Sequence, residues 1–352
     1  MKRLVLPGLI DAHVHLRVPG GEHKEEVATG TAAALAGGIA GVLDMPNNTP
    51  AVVDAAGLAR KAALFRQKAR CDYGLFLGAG DESHPTPADA QSAVALKLYL
   101  TPTYGPLQLA SLASLLQIFR DWPRERPIAV HAEGLSMAIP IGLALLTGKR
   151  VHICHVARAD EIALVRAAKE QGAPVTCEVT PHHLFLTQRD AARLGPFAAM
   201  KPPLGDENDV AALWQHLQVV DLVASDHAPH TLAEKEGPSP PPGVSGVETM
   251  LVLLFDAVQE GRLSVERLVE LLHHGPQRVY GVQAPEAQVE LELGGRRSLW
   301  GRELHSKCGW TPYEGRTVRA RVRRVVLHGV VAFEDGRVLA AAGEGRPLQR
   351  RP

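Results

Sequence analysis

The sequence is short of cysteine, of asparagine and of any excess charge. Four cysteines in 352 residues (Cys71, Cys154, Cys177 and Cys308) are too sparse for a disulfide framework. Basic and acidic residues both number 38, so the formal net charge is zero, which argues against a nucleic-acid or membrane surface. No apolar run is long enough to span a bilayer, and the N-terminus lacks the apolar core of a signal peptide. There is no internal repeat, and no glycine-rich phosphate turn of the kind a doubly wound nucleotide-binding sheet carries. These absences leave a cytoplasmic enzyme as the expectation. Asparagine occurs only at positions 47, 48 and 208, against 26 prolines; this fits a heat-tolerant source, and equally a bias of the genome.

What is present is an ordinary globular composition, 45% hydrophobic and 22% charged, with a high count of 16 histidines. Short apolar strands are predicted at Leu9–Leu16, Ala40–Met45, Tyr73–Ala79, Ala95–Leu100, Ile128–Ala132, Val151–Val156, Val175–Val179 and Leu222–Ser225. Helical stretches separate most of them, at Lys24–Leu35, Ala55–Lys68, Leu107–Phe119, Leu135–Leu146, Ala159–Glu170 and Asn208–Leu217. Eight strands alternating with helices predict an α/β fold, a (β/α)8 TIM-type barrel, over residues 8–284. Two more helices are expected at Val247–Gln259 and Ser264–His273. From there the pattern changes to short strands: Val289–Leu293, Thr317–Val322, Val325–Val331 and Arg337–Ala341. With Met1–Leu6 these predict a small β subdomain from residues 1–7 and 285–345, leaving 346–352 as a loose tail.

The chemistry-bearing residues stand at the predicted strand ends, where barrels of this kind carry their sites. The first strand runs into Asp11-Ala12-His13-Val14-His15-Leu16-Arg17, whose two histidines at i and i+2 share a face, with Asp11 and Arg17 on the same parity. Alone, a His-x-His is as often two satisfied polar side chains as a ligand pair. The fourth strand carries Lys97, the fifth His131, the sixth His155 and the eighth Asp226. A lysine inside an apolar strand is costly unless paired or modified. Desolvation favours its neutral amine, which can add carbon dioxide to become a bidentate carbamate; the alternative is a lysine that snorkels to the mouth and holds a carboxylate. Together the set offers His13, His15 and Asp226 to one metal ion and His131 and His155 to a second, with Lys97 between them. Imidazole and carboxylate donors favour zinc.

These stretches resemble the amidohydrolase superfamily and, more narrowly, the dihydroorotases. The resemblance rests on Asp11–Gly20 (DAHVHLRVPG), Met45–Pro50 (MPNNTP), Leu96–Leu100 (LKLYL), Val151–Arg158 (VHICHVAR), Cys177–Leu186 (CEVTPHHLFL) and Ala224–Thr231 (ASDHAPHT). The wording is most similar to the dihydroorotase domain of multifunctional pyrimidine-biosynthesis polypeptides. The resemblance implies a zinc-dependent, reversible cyclisation of N-carbamoyl-L-aspartate to L-dihydroorotate. Two Zn2+ ions would be bridged by a carbamylated Lys97, and Asp226 would act as general acid/base toward a bridging hydroxide. It implies a substrate carboxylate pocket of Arg17, Asn47 and His230, with Arg17 supplying a planar fork. Backbone at Pro242 and Gly243 would meet the pyrimidine edge. Lys201 stands where related enzymes carry Arg or Asn. The loop holding Thr103 and Tyr104 is either a flap over bound substrate or an ordinary βα connection. Cys154, Glu178, His182 and His183 could hold an additional ion or support the main ligands. A homodimer, and association with an aspartate transcarbamoylase, are further expectations.

Two rivals remain at this level. A hydantoinase, dihydropyrimidinase or allantoinase would share the metal ligands but have no need of the carboxylate pocket. A non-catalytic partner of aspartate transcarbamoylase would have lost ligands, and here every ligand position is filled.

Overall fold

The structure, a computed structural model, describes residues 2–351. In chain order, β1 (Lys2–Pro7) leads into β2 (Leu9–Val14), α1 (Val27–Ala36), β3 (Ile39–Asp44), α2 (Ala55–Lys68), β4 (Asp72–Leu75) and β5 (Leu77–Gly78). Next come β6 (Leu96–Tyr99), α3 (Leu112–Asp121), β7 (Ile128–His131), α4 (Ala138–Thr147), β8 (Val151–Ile153), α5 (Ala159–Glu170) and β9 (Val175–Val179). After α6 (Pro181–Phe185), α7 (Gln188–Leu194) and α8 (Glu207–Gln215), β10 (Leu222–Val223) completes the series. All pairings among β2–β10 are parallel. The β4–β5 run, broken at Phe76, supplies one barrel position, so eight positions are filled as the strand–helix alternation predicts. Closure falls between β10 and β2: Val14 bridges His227, the His15 N–H donates to the His227 carbonyl at 2.7 Å, and Ser225 N–H donates to Asp11 at 3.0 Å.

Alternation along the strands sorts the side chains. Leu96 and Leu98, Ile128 and Val130, and Val175, Cys177 and Val179 face the helices in one core cluster. Ile10, Ala12, Leu43, Ala95, Ala129, Cys154, Leu222 and Ala224 fill a second cluster inside the barrel, with Tyr280 and the part-buried Leu348. Strand β2 breaks the rhythm. Its register against β3 shifts between Asp11 and Val14. Below the shift Ile10 and Ala12 belong to the inner cluster; above it Val14 and Leu16 belong to the outer one, so His13 and His15 take the inward places. Asp11 therefore does not share the histidines' site, contrary to simple parity; its carboxylate accepts the backbone N–H groups of His13 and Ser225 and ties the closing strands.

Following α9 (Leu232–Lys235), α10 (Met250–Gln259), α11 (Val265–Val269) and α12 (Gly275–Tyr280), the chain forms β11 (Ala287–Ser298), β12 (Thr317–Leu327), β13 (Val330–Glu334) and β14 (Arg337–Val338). These make a five-stranded antiparallel sheet in the order β1-β11-β12-β13-β14. The predicted strands at Thr317–Val322 and Val325–Val331 are divided differently: β12 runs through Arg323–Arg324, and the turn lies at His328-Gly329, both at positive φ (51° and 79°). Cross-strand pairing carries β12 through the two arginines. Two expected helices are also modified. Leu135 lies in a short 3-10 turn before α4, and Glu270–His274 form a π-helical turn after α11. Nor is the chain end loose over its described part. The Tyr73 N–H donates to the Arg346 carbonyl, Leu348 N–H to the Tyr73 carbonyl, and Arg351 N–H to the Gly281 carbonyl, with Leu348 against the inner cluster at the barrel floor. Met1 and Pro352, at the ends of the predicted strand and tail, lie outside the described residues.

Candidate active site

The barrel mouth forms a cleft lined by His13, His15, Lys97, His131, His155 and Asp226 on one side. Arg17, Asn47, Tyr104, Lys201, Pro242 and Gly243 line the other. All six predicted metal donors are thus brought together. Of the carboxylate-pocket residues, Arg17 and Asn47 line the cavity directly, while His230 stands behind Arg17.

His13 and His15 are each held from the far side, which fixes their tautomers. His13 Nδ1 donates to Glu178 at 2.5 Å, leaving Nε2 to face Asp226 Oδ1 at 3.3 Å. His15 Nδ1 donates to Asn47 Oδ1 at 2.7 Å, leaving Nε2 facing the same oxygen at 3.1 Å. Two imidazole lone pairs and a carboxylate oxygen converge, an acceptor-only arrangement that a shared cation satisfies. Nearby, His131 Nδ1 and His155 Nε2 lie 2.9 Å apart, and donor atoms of His13, His155 and Asp226 fall within 4.8 Å of one another. His155 Nδ1 and His131 Nε2 find no hydrogen-bond partner among the described residues, although Glu133 is 3.3 Å from the latter at a poor angle. Burial, reinforced by the charge of Arg17, holds His15 well below the usual imidazole range. Burial and the neighbouring His131 do the same to His155, so both rings are neutral at pH 7. The residues present fit a pair of divalent ions.

Lys97 is fully buried, with Nζ donating to Cys154 Sγ at 2.8 Å and lying 5.3 Å from the Tyr99 ring centre. Among the described residues no carboxylate lies within ion-pair distance of it. Burial pushes the Cys154 thiol up to about 12, against the pull of Lys97.

The secondary group resolves unevenly. Glu178 receives His13 Nδ1 and, at 3.1 Å, His152 Nε2. Burial pushes its carboxyl up, but the charge and hydrogen bonds of His13 and His152 outweigh that and hold it well below the usual carboxylate range. Glu178 thus orients His13, while its oxygen, Cys154 Sγ and a His13 nitrogen also fall within 4.8 Å of one another. His183 is separate: its Nδ1 meets Thr180 Oγ1 at 2.8 Å and its Nε2 the Pro202 carbonyl at 3.0 Å. His182 Nε2 is buried without a partner among the described residues.

Backbone strain gathers here. Five non-glycine residues have positive φ among those described, and three are Arg17 (62°), His155 (38°) and Asp226 (45°). Asn47 is doubly engaged, accepting from His15 and donating to the Tyr104 carbonyl at 2.9 Å, so it orders His15 and the Thr103–Tyr104 loop together. Lys24 donates to His230 Nδ1 (3.2 Å) and to Tyr104 Oη (2.7 Å) and pairs with Glu234 (2.9 Å). His230 Nε2–H is then left to donate to the Pro242 carbonyl at 3.0 Å. Arg17 meets that same Nε2 at 3.0 Å, and its Nε–H donates to the Pro229 carbonyl at 3.0 Å. Burial, then Arg17 and Lys24, push His230 down to about 2, so it stays neutral.

Sequence reasoning missed Lys24, Lys61 and Lys235. Lys61, in α2, bonds Asp44 (2.5 Å), the Met45 carbonyl (2.6 Å) and Asn48 (2.8 Å), pinning the loop that carries Asn47. Its only signal was a lysine on the inward face of an amphipathic helix.

The eight-stranded barrel with histidines, a lysine and an aspartate converging at its mouth defines an amidohydrolase-type protein. Among solved structures, the L-hydantoinase (dihydropyrimidinase) from Arthrobacter aurescens shares the fold, with a TM-score of 0.89 at 24% identity, covering 99% of this chain and 89% of that one. The Dihydro-orotase-like family matches over residues 2–78. The multifunctional protein CAD of Squalus acanthias is 46% identical over 354 residues, but this chain spans only 16% of its length. The dihydroorotase of Pyrococcus abyssi is 37% identical over 367 residues, covering 99% of this chain and 87% of that protein. This chain belongs to the dihydroorotase family.

Proposed function

We propose that the protein is a cyclic amide hydrolase that interconverts N-carbamoyl-L-aspartate and L-dihydroorotate in pyrimidine synthesis, using two zinc ions. The observation that carries the reading is the pairing, in one cavity, of a convergent donor cluster with a cationic wall. A hydantoin or dihydrouracil ring has no carboxylate to engage Arg17, so the wall favours dihydroorotate over those substrates.

His13, His15 and Asp226 would hold one ion and His131 and His155 the other. The Lys97 amine, adding carbon dioxide and releasing a proton, would become the carbamate between them. When bound, the ions supply Lewis acidity at the amide carbonyl and lower the pKa of a water. The chain's own residues do the rest. Asp226 Oδ1, held between two imidazoles, would take a proton from the attacking water and deliver it to the leaving ring nitrogen; on ring closure it would take that proton from the nitrogen and return it to the departing water. Arg17 binds the substrate carboxylate with two parallel N–H donors, backed by Asn47 and His230. Lys201, on the same cavity wall, adds a second cation within reach of the substrate.

No helix among the described residues is long and apolar enough to cross a membrane; cytoplasmic location, a homodimer and association with an aspartate transcarbamoylase complete the proposal. The likeness to a multifunctional protein supports such an association. The test is turnover of both substrates before and after chelation, then with zinc and bicarbonate restored. Activity that returns only with both supports the binuclear, carbamylated site. Turnover of hydantoins in place of dihydroorotate would overturn the substrate.

A further inference from the structure

Lys235, the last residue of the four-residue α9, is fully buried. Its three ammonium N–H groups meet three backbone carbonyls: Ala199 at 3.1 Å, Pro241 at 3.0 Å and Gly243 at 3.1 Å. No carboxylate lies within ion-pair distance of it among the described residues. Burial, with the nearby charge of Arg17 adding to it, brings its pKa down to about 8. A buried cation opposed only by neutral dipoles is costly, and a hydrophobic side chain of similar length would fill the space more cheaply. The bonds it makes point to what it contributes.

Pro242 and Gly243 line the cavity, and Lys235 grips the carbonyls on both sides of the Pro242–Gly243 peptide unit. The Gly243 N–H donates to the Ala199 carbonyl at 2.9 Å, the same oxygen Lys235 holds. Ala199 lies two residues before Lys201, which lines the same cavity. Gly243 sits so close that a Cβ there would come within 2.4 Å of the Ala228 carbonyl. Above the ammonium, the Trp310 ring centre is 5.3 Å away, and Trp310 Nε1 donates to the His230 carbonyl at 2.7 Å. One side chain therefore ties both loops of the substrate wall to each other and to the C-terminal segment that covers them.

We propose that Lys235 is a positioning residue for substrate binding. Its ammonium staples the 241–243 loop to the 199–201 segment, setting the shape and the positive field of the wall opposite the metal donors. This rests on the substrate reading above, so the experiment has one arm that needs no turnover. Lys235→Met removes all three donors and the charge; Lys235→Gln keeps two donors without charge. In both reaction directions KM is expected to rise 10- to 100-fold in Lys235→Met and by less in Lys235→Gln. The kcat should stay within about threefold and metal content should be unchanged. Independently, the Gly243 amide should exchange with solvent at least tenfold faster in Lys235→Met. A folded variant with wild-type KM, or one whose kcat falls as far as its KM rises, overturns the proposal. If Lys235→Met does not fold, Lys235→Gln decides by the same criteria. Should the wild type turn over neither substrate, the substrate reading fails, and Gly243 exchange alone decides whether the staple exists.

Discussion

The barrel mouth and the β sheet use charge in opposite ways. On the sheet, β12 alternates buried Val318, Ala320 and Val322 with Arg319, Arg321 and Arg323 on the outer side. Arg321 meets Glu292 at 3.1 Å and Asp335 at 3.4 Å, Arg323 reaches both of those carboxylates at 3.8 Å, and Arg3 pairs with Glu290 at 2.9 Å. Apart from the carboxylates of Glu290 and Glu292 these groups are substantially solvated, and Arg321 and Arg323 share their partners. At the mouth, by contrast, Lys61, Lys97, Lys235, Glu178 and His155 are almost fully buried, with few partners apiece. Screened, redundant pairs contribute little individually, whereas a buried group that loses its partner costs the full desolvation. Of the five positive-φ non-glycine residues among those described, three stand at the mouth and two, His328 and Asp335, in hairpin turns of the sheet.

The comparison breaks most clearly at Asp226. Asp226→Asn should lower kcat by about 10³-fold or more with little change in melting temperature. Turnover near wild type would return that residue to a structural role. Lys61→Met strands the Asp44 carboxylate in the core and should cost about 3–5 kcal/mol in denaturant unfolding. A loss below 1 kcal/mol would mean that burial at the mouth carries no special penalty. Arg17→Lys replaces a fork with a point charge; KM should rise about 10- to 100-fold, as expected for losing one charge-assisted hydrogen bond. An unchanged KM would remove the carboxylate from Arg17.

The remaining effects are small and belong to the sheet and its β11–β12 connection. His305 pairs with Glu248 at 2.9 Å, and that hydrogen bond outweighs burial and raises the imidazole pKa. A raised histidine stabilises fully below its unfolded value of about 6.5, and the contribution fades as pH rises through the folded value. Stability should therefore fall by under about 1 kcal/mol on going from pH 6 to pH 8, and Glu248→Gln should flatten that slope. Arg321→Gln should change stability by less than about 0.5 kcal/mol; a loss comparable to that of Lys61→Met would dissolve the contrast.

Much of the barrel was legible because its strands are apolar runs bounded by polar ends, and α2 and α5 match their predicted bounds residue for residue. The six donors were legible because His, Lys and Asp at strand ends are unusual there. Less visible was how they are aimed. The register shift in β2 turns His13 and His15 inward and sends Asp11 to the closing seam. A φ of 38° brings His155 into the mouth beside the already inward Cys154. Glu178 reads as one more potential ligand until His13 and His152 are seen on either side of it.

By itself the sequence determined the order of elements, the apolar faces and the chemical types available at each strand end, since these follow from local periodicity and side-chain chemistry. Only the tertiary structure decided which lysines are buried, which carbonyls they hold and which tautomer each histidine adopts. Those depend on partners far along the chain: Glu178 lies 165 residues from His13, and Asp226 lies 211 from His15. No local pattern encodes a hydrogen bond across such a span; closing the barrel brings the partners within reach and excludes the water that would otherwise compete.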